Sequence, residues 1–122
     1  MPKTILLAED DPFIIDIYSN HFKKEGFEVD IAVDGQMALE KIQNHIPDIL
    51  LLDIILPKMD GWKLLKELRS NAATKNVKVF VISNLNQQDH ADDIVNLGVT
   101  KFFLKVETNP EEITTAIREV LK

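Results

Sequence analysis

The sequence predicts a doubly wound α/β domain, (βα)5, with a five-stranded parallel sheet as the middle of three layers. Three observations carry this. Five short apolar stretches alternate with five helix-patterned segments along 122 residues. Two of those stretches are apolar without a break, as strands covered on both faces are. No repeat, linker or low-complexity segment interrupts the alternation.

The first strand is TILLA (4–8), nearly all apolar. Asp11-Pro12 then signals a helix start, since Asp caps free N–H groups and Pro is tolerated at the first position. That helix puts Ile15, Tyr18 and Phe22 on one stripe and stops at Gly26. FEVDIAV (27–33) alternates, with Phe27, Val29 and Ile31 on one side and Glu28 and Asp30 on the other, which predicts an edge strand. The second helix, GQMALEKIQNH (35–45), offers Ala38, Leu39 and Ile42 and ends before Pro47. DILLLD (48–53) and VKVFVIS (77–83) are the two unbroken strands, with WKLLKELRS (62–70) between them as a helix presenting Leu64, Leu65 and Leu68. DHADDIVNLG (89–98) is predicted as a fourth helix with Ala91, Ile94 and Val95 inward, closing at Gly98. KFFLK (101–105) is the fifth strand. In the last helix Asn109 caps, Pro110 leads, and Glu111 and Glu112 suit the positive end. Ile113, Ala116, Ile117, Val120 and Leu121 form its stripe.

Hydrophobic residues make up 45% and charged residues 28%, an ordinary soluble composition at single-domain length, so residues 1–122 are expected to form one domain. The net charge of -6 and the lack of a basic cluster argue against direct nucleic-acid binding. There are no cysteines, which excludes disulfides and thiolate metal sites. No apolar run reaches the roughly 20 residues of a membrane span, and the N-terminus lacks the features of a secretory signal. A cytoplasmic domain without membrane insertion is the expectation.

In a doubly wound domain, chemistry sits at the carboxyl ends of the strands. Strand one ends in Glu9-Asp10, strand three in Asp53, strand four in Ser83 and strand five in Lys105. Each has an ordinary explanation taken singly: a turn acid, a turn hydroxyl, a solvated amine. Together, three acids, a hydroxyl and an amine converge on one rim. Clustered carboxylates repel one another unless a cation accompanies them. Mg²⁺ suits such a set, because it takes oxygen ligands and is typically held by one or two carboxylates plus a phosphate. Mg²⁺ beside a carboxylate, a lysine and a hydroxyl points to phosphoryl transfer, with Asp53 as an acceptor that becomes an aspartyl phosphate.

These residues, in this order, resemble the receiver domain of bacterial two-component response regulators, the CheY-like family. The resemblance runs through the acidic pair Glu9-Asp10, the phosphoacceptor position Asp53, and the turn LPKMDGW with Pro57, Asp60 and Gly61. It continues through Ser83 after strand four and Lys105 after strand five, and intervals of 43, 30 and 22 residues separate Asp10, Asp53, Ser83 and Lys105. It implies a flavodoxin-like sheet of order 2-1-3-4-5. It implies Mg²⁺ held by Asp10, Asp53 and the backbone carbonyl of Ile55, with Glu9 acting through water. It implies a phosphoryl group donated by a histidine kinase or phosphotransfer protein, and a switch coupling Ser83 to Phe102. That switch changes the surface of helix four, strand five and helix five toward an output partner, in a monomer or a phosphorylation-dependent dimer. The chain would be no enzyme beyond self-phosphorylation from small donors and slow self-dephosphorylation.

Two positions depart from the family pattern. Lys105 is followed by Val106 where the family usually has proline in a cis bond, so a trans bond and a rearranged 106–109 loop are expected. The residue after Ser83 is Asn84, placed to crowd the site or to hydrogen-bond to the phosphate. Apolar Ile55 and Leu85 flank the site and are expected to shield it from water. The histidines His21, His45 and His90 are read as surface residues, Asp89, Asp92 and Asp93 as a solvated helix face, and Trp62 as partly packed. Competing readings are a receiver that docks partners without phosphorylation and a Mg²⁺-dependent phosphatase of the haloacid-dehalogenase type. The second fits less well, since Ile55 stands where such an enzyme has its second Asp. A flavin site fits less well still, because the loop after strand one is acidic.

Overall fold

Ile49–Leu52 and Val79–Ser83, within the two unbroken apolar runs, are buried residue for residue and lie inside the sheet. The computed structural model describes residues 2–122. Its strands are β1 (Thr4–Ala8), β2 (Glu28–Ala32), β3 (Ile49–Leu52), β4 (Val79–Ser83) and β5 (Lys101–Leu104). Its helices are α1 (Pro12–Lys24), α2 (Gly35–Asn44), α3 (Gly61–Arg69), α4 (Ala91–Asn96) and α5 (Pro110–Val120). All strands are parallel, in the order β2-β1-β3-β4-β5. β2 is an edge strand as its alternation predicts, and β5 is the other. No helix among the described residues is long and apolar enough to cross a membrane.

The two-residue period of the strands sorts the core into two. Ile5, Leu7, Ile49, Leu51, Phe80 and Ile82 point to one face, where Tyr18 and Phe22 of α1 and Ile113, Ala116 and Ile117 of α5 cover them. Leu6, Ala8, Leu50, Leu52, Val79 and Val81 point to the other, under Ala38 and Ile42 of α2 and Leu64, Leu65 and Leu68 of α3. Helix starts are set by side chains that take free N–H groups. Asp11 accepts from Phe13 (2.9 Å), Asp34 from Met37 (2.7 Å), Asp60 from Lys63 (2.9 Å) and Asn109 from Glu112 (2.9 Å).

The fourth helix corrects the sequence reading. It spans only six residues after a 3-10 turn (Gln87–His90), and none of them is buried. Ala91 is exposed and Val95 is 78% exposed, while Ile94 and Leu97 are half-buried. The predicted Ala91/Val95 stripe fails because the helix is too short for its faces to be set by apolar packing alone. Arg69 holds its C-terminal end instead, donating to the carbonyls of Leu97 (2.8 Å), Gly98 (3.2 Å), Lys75 (3.0 Å) and Val77 (2.7 Å). Three smaller corrections concern side chains read as solvated. His21 is half-buried, with Nε2 3.0 Å from the Thr114 hydroxyl, and His90 and Asp93 are half-buried rather than fully solvated.

The loop from Asp53 to Gly61 is pressed against its surroundings. Gly35 N–H donates to the Pro57 carbonyl (3.2 Å), and Gly61 N–H to the Ile54 carbonyl (2.8 Å). A Cβ on Gly35 would run into the Met59 carbonyl, and one on Gly61 would lie 2.8 Å from the Ile54 Cα. Between them Lys58 takes a left-handed conformation at φ 67°, uncommon for a residue with a Cβ. Gly35→Ala and Gly61→Ala should each lower the unfolding free energy by about 1–3 kcal/mol in urea titrations, as overpacking does. Gly35→Ala should be the worse, because its Cβ would approach a backbone carbonyl more closely than that of Gly61 approaches anything. An unchanged midpoint for Gly35→Ala would mean that the loop is free to retreat.

Candidate functional site

Sheet hydrogen bonding runs one residue past β1 and β3. Glu9 N–H donates to the Ala32 carbonyl (3.0 Å), and Asp53 N–H to the Ala8 carbonyl (3.0 Å). The backbones of both acids are therefore held by the sheet while their side chains stand on its carboxyl rim. After β1 the chain turns to α1 on one face of the sheet, and after β3 to α3 on the other. The strand order reverses between β1 and β3, and the diverging connections open a crevice there.

Lys105, predicted to reach this rim from β5, crosses to it. Its Nζ lies 2.6 Å from Glu9 Oε1 and 2.8 Å from Asp53 Oδ2. Asp53 Oδ1 accepts from the Ile55 N–H (3.2 Å), and Glu9 Oε2 from the N–H groups of Asp10 (2.9 Å) and Asp11 (3.2 Å). The side chains of Glu9 and Asp53 are 3% and 8% exposed. Asp10 is exposed. Burial pushes the Glu9 carboxyl above its usual range; Lys105 and the Asp11 amide pull it back only in part, and the nearby Asp53 charge adds to the rise. Burial pulls Lys105 down, but hydrogen bonds to Asp53 and Glu9 and their charges outweigh it, so the ammonium titrates above its ordinary value. The chain thus supplies one cation to its own acidic cluster.

A second cation fits beside it. One carboxylate oxygen each from Glu9, Asp10 and Asp53 lies within 4.8 Å of the others, an all-oxygen donor set suited to a hard divalent ion. Glu9 and Asp53 each have both oxygens engaged, and no hydrogen bond or ion pair among the described residues occupies the Asp10 carboxylate, so Asp10 is the freest of the three to take an ion.

Ser83 ends β4, fully buried, and its Oγ accepts from the Leu85 N–H at 3.3 Å. Side-chain alternation places Ser83 on the same face of the sheet as half-buried Phe102, which pairs in register with Val81 one step down. Ile55 is 61% exposed beside Asp53, whereas Leu85 packs partly into the core, so Ile55 is the exposed apolar neighbour of the two. Trp62, half-buried as expected, stacks on His90 (centroids 5.3 Å, 28° between planes), and its indole N–H is buried with no partner among the described residues.

The expected trans geometry at Val106 holds, there being no cis peptide bond among the described residues. The loop after Lys105 is a 3-10 turn (Lys105–Glu107). Asn84 does something not foreseen: its Oδ1 accepts from the Val106 N–H at 3.1 Å. The signal was available, since a residue other than proline at 106 keeps a donor that needs a partner.

A family model described as the response regulator receiver domain matches residues 5–118. Response regulator GtcR of Aneurinibacillus migulanus is 32% identical over 123 residues, all of this chain and 49% of that protein. The chain thus spans about half the length of that relative. Chemotaxis protein CheY of Bacillus subtilis is 33% identical over 106 residues, 86% of this chain and 87% of that protein. Among solved structures, a CheY-like response regulator receiver domain protein from Methanospirillum hungatei JF-1 superposes with a TM-score of 0.90 at 29% identity, covering 99% of this chain and 94% of that one.

Removing the internal cation has a pH signature. In Lys105→Met the buried Glu9 loses its partner, so its folded-state pKa rises further above the unfolded one. Stability from such a group is present below the unfolded pKa and is lost as pH rises through the folded value. The deficit of Lys105→Met relative to wild type should therefore be small at pH 5 and on the order of 3 kcal/mol at pH 7.5 in urea without divalent ions. Equal deficits at both pH values would show that the ion pair does not govern Glu9.

Proposed function

The chain belongs to the response regulator receiver domain family, and from that we propose that Asp53 is the phosphoacceptor of a two-component signalling step. The observation that carries the reading is Lys105 Nζ held 2.8 Å from Asp53 Oδ2, with Asp10 close enough to share an ion with Asp53. A receiver domain is a signalling phosphoacceptor rather than an enzyme of the usual kind, and residues 1–122 act as one such unit.

An Asp53 carboxylate oxygen attacks the phosphorus of a phosphohistidine on a histidine kinase or phosphotransfer protein. The O–P bond forms as the P–N bond breaks, and the imidazole nitrogen keeps the electron pair. Asp10, Asp53 and the Ile55 carbonyl would hold Mg²⁺, with Glu9 beside them, and the ion would supply charge neutralisation at the phosphoryl oxygens. Lys105 keeps its charge at neutral pH and stabilises one equatorial oxygen; the Ser83 hydroxyl leaves the Leu85 amide and donates to another. The chemistry asks for position and charge, which the sheet rim provides. Drawing Ser83 inward opens room on the face it shares with Phe102 and shifts the balance between two states of the α4–β5–α5 surface. The half-buried side chains of that region and exposed Val95 on α4 suit it to a change of partner, an output domain or protein, in the cytoplasm. Exposed Ile55 offers an attacking water no hydrogen bond, so phosphate loss is slow.

Incubation with acetyl phosphate and Mg²⁺ should add one phosphoryl mass to the intact protein. Asp53→Ala or chelation of Mg²⁺ should abolish the gain. No gain in wild type would leave a docking module that works without phosphorylation. Ile55→Asn should shorten the phosphate lifetime several-fold, read by the decay of the same mass peak, and an unchanged lifetime would remove Ile55 as a shield.

A further inference from the structure

Beyond the last paired residues of β4 and β5, Ser83 and Leu104, two loops leave the sheet edge side by side. One begins with Asn84 directly after Ser83, the other contains Val106 directly after Lys105. Among the described residues, the Asn84 Oδ1 to Val106 N–H bond is the one hydrogen bond that joins residues 84–90 to residues 105–109. Other bonds of these loops stay within their own segments, as Leu85 N–H to Ser83 Oγ, Gln88 N–H to Asn86 Oδ1 and the Thr108 hydroxyl to the Leu104 carbonyl do, while the Lys105 ammonium turns to Glu9 and Asp53. Packing does not fix Val106 either, for its side chain is 76% exposed. The backbone at 106 is held from the neighbouring loop by a side-chain amide, through a donor that a proline would not have.

We propose that Asn84 is a positioning residue for phosphoryl transfer, a latch that keeps the Ser83 loop and the Lys105 loop in register through the Val106 amide. Rooted in the reading of Asp53 as phosphoacceptor, it specifies how the hydroxyl and the ammonium come to bear on one phosphoryl group. Ser83 ends β4 and Lys105 opens the loop after β5, and each is directly next in sequence to an end of the latch. A shift of either loop therefore alters the separation of the two groups. This differs from Asn84 acting on the phosphoryl group itself, where the Val106 amide would play no part.

Two measurements separate the possibilities. In solvent-exchange NMR the Val106 amide should exchange about 2–10-fold faster in Asn84→Ala than in wild type, the effect of losing one neutral hydrogen bond. Asn84→Asp, which keeps an acceptor at that position, should retain the protection. In labelling of Asp53 by acetyl phosphate with Mg²⁺, Asn84→Ala and Val106→Pro should each slow the reaction by about 2–10-fold, and the double variant should be no slower than the slower single one. Losses that multiply in the double variant, or normal labelling of Val106→Pro beside slow labelling of Asn84→Ala, would overturn the latch. So would a Val106 amide indifferent to Asn84→Ala. A wild-type chain that takes no phosphoryl group sinks the functional reading and this role together, whereas normal wild-type labelling with an unaltered Val106 amide sinks the latch alone.

Discussion

An ammonium shared between two buried carboxylates organises the rim of this domain. Glu9 and Asp53 follow strands that are apolar and buried but for Thr4 at the start of β1, so their charges are tolerable only with a partner at hand. Lys105 reaches both from a third strand. Segments around residues 9, 53 and 105 are thereby tied at one point, although the sheet alone keeps β1 and β5 apart by two strands. Under the proposed reading, the pair would keep the Asp53 carboxylate beside the charge that its phosphorylated form needs. A divalent ion on oxygens of the same cluster would relieve Lys105 of part of its duty to Glu9 and leave the ammonium available to an incoming oxyanion.

The site has a stiff side and a compliant side. Asp53 sits at the start of a loop pinned by the close approaches at Gly35 and Gly61, and its backbone still hydrogen-bonds to β1. Opposite it, the segment after Ser83 leads to a helix with no buried residue, held at its far end by the Arg69 guanidinium against backbone carbonyls. A charge placed on the stiff side does not move its own support, so the response falls to the segment with the least to lose. Local stability that is low where motion is needed and high where aim is needed is the expected division in a switch.

Much of this was legible in the residues. Continuous apolar runs gave β3 and β4 their central places, alternation put β2 at an edge, and Asp11 and Asn109 announced helix starts that the structure keeps. Glu9, Asp53 and Lys105 were legible because each directly follows a strand, and their side chains meet at one point. Helix α4 was misread because a six-residue helix carries too few apolar positions to declare a face, and a guanidinium from α3 does the work that a stripe does elsewhere. The Glu9–Lys105 contact was also beyond the pattern. The residues place the Lys105 amine on the rim beside the acids, but not its direct contact with Glu9, 96 positions away in the chain.

What the sequence by itself determined is periodic and local: element order, parallel pairing, capping residues, and which side chains end each strand, since these follow from side-chain spacing and backbone valence. What only the tertiary structure decided is which of those ends meet and at what distance. The sharing of Lys105 between two carboxylates, the crowding at Gly35 and the bond from Asn84 to Val106 are contacts between segments far apart in sequence. Their geometry is set by how two apolar layers close on the sheet, and no local pattern encodes it.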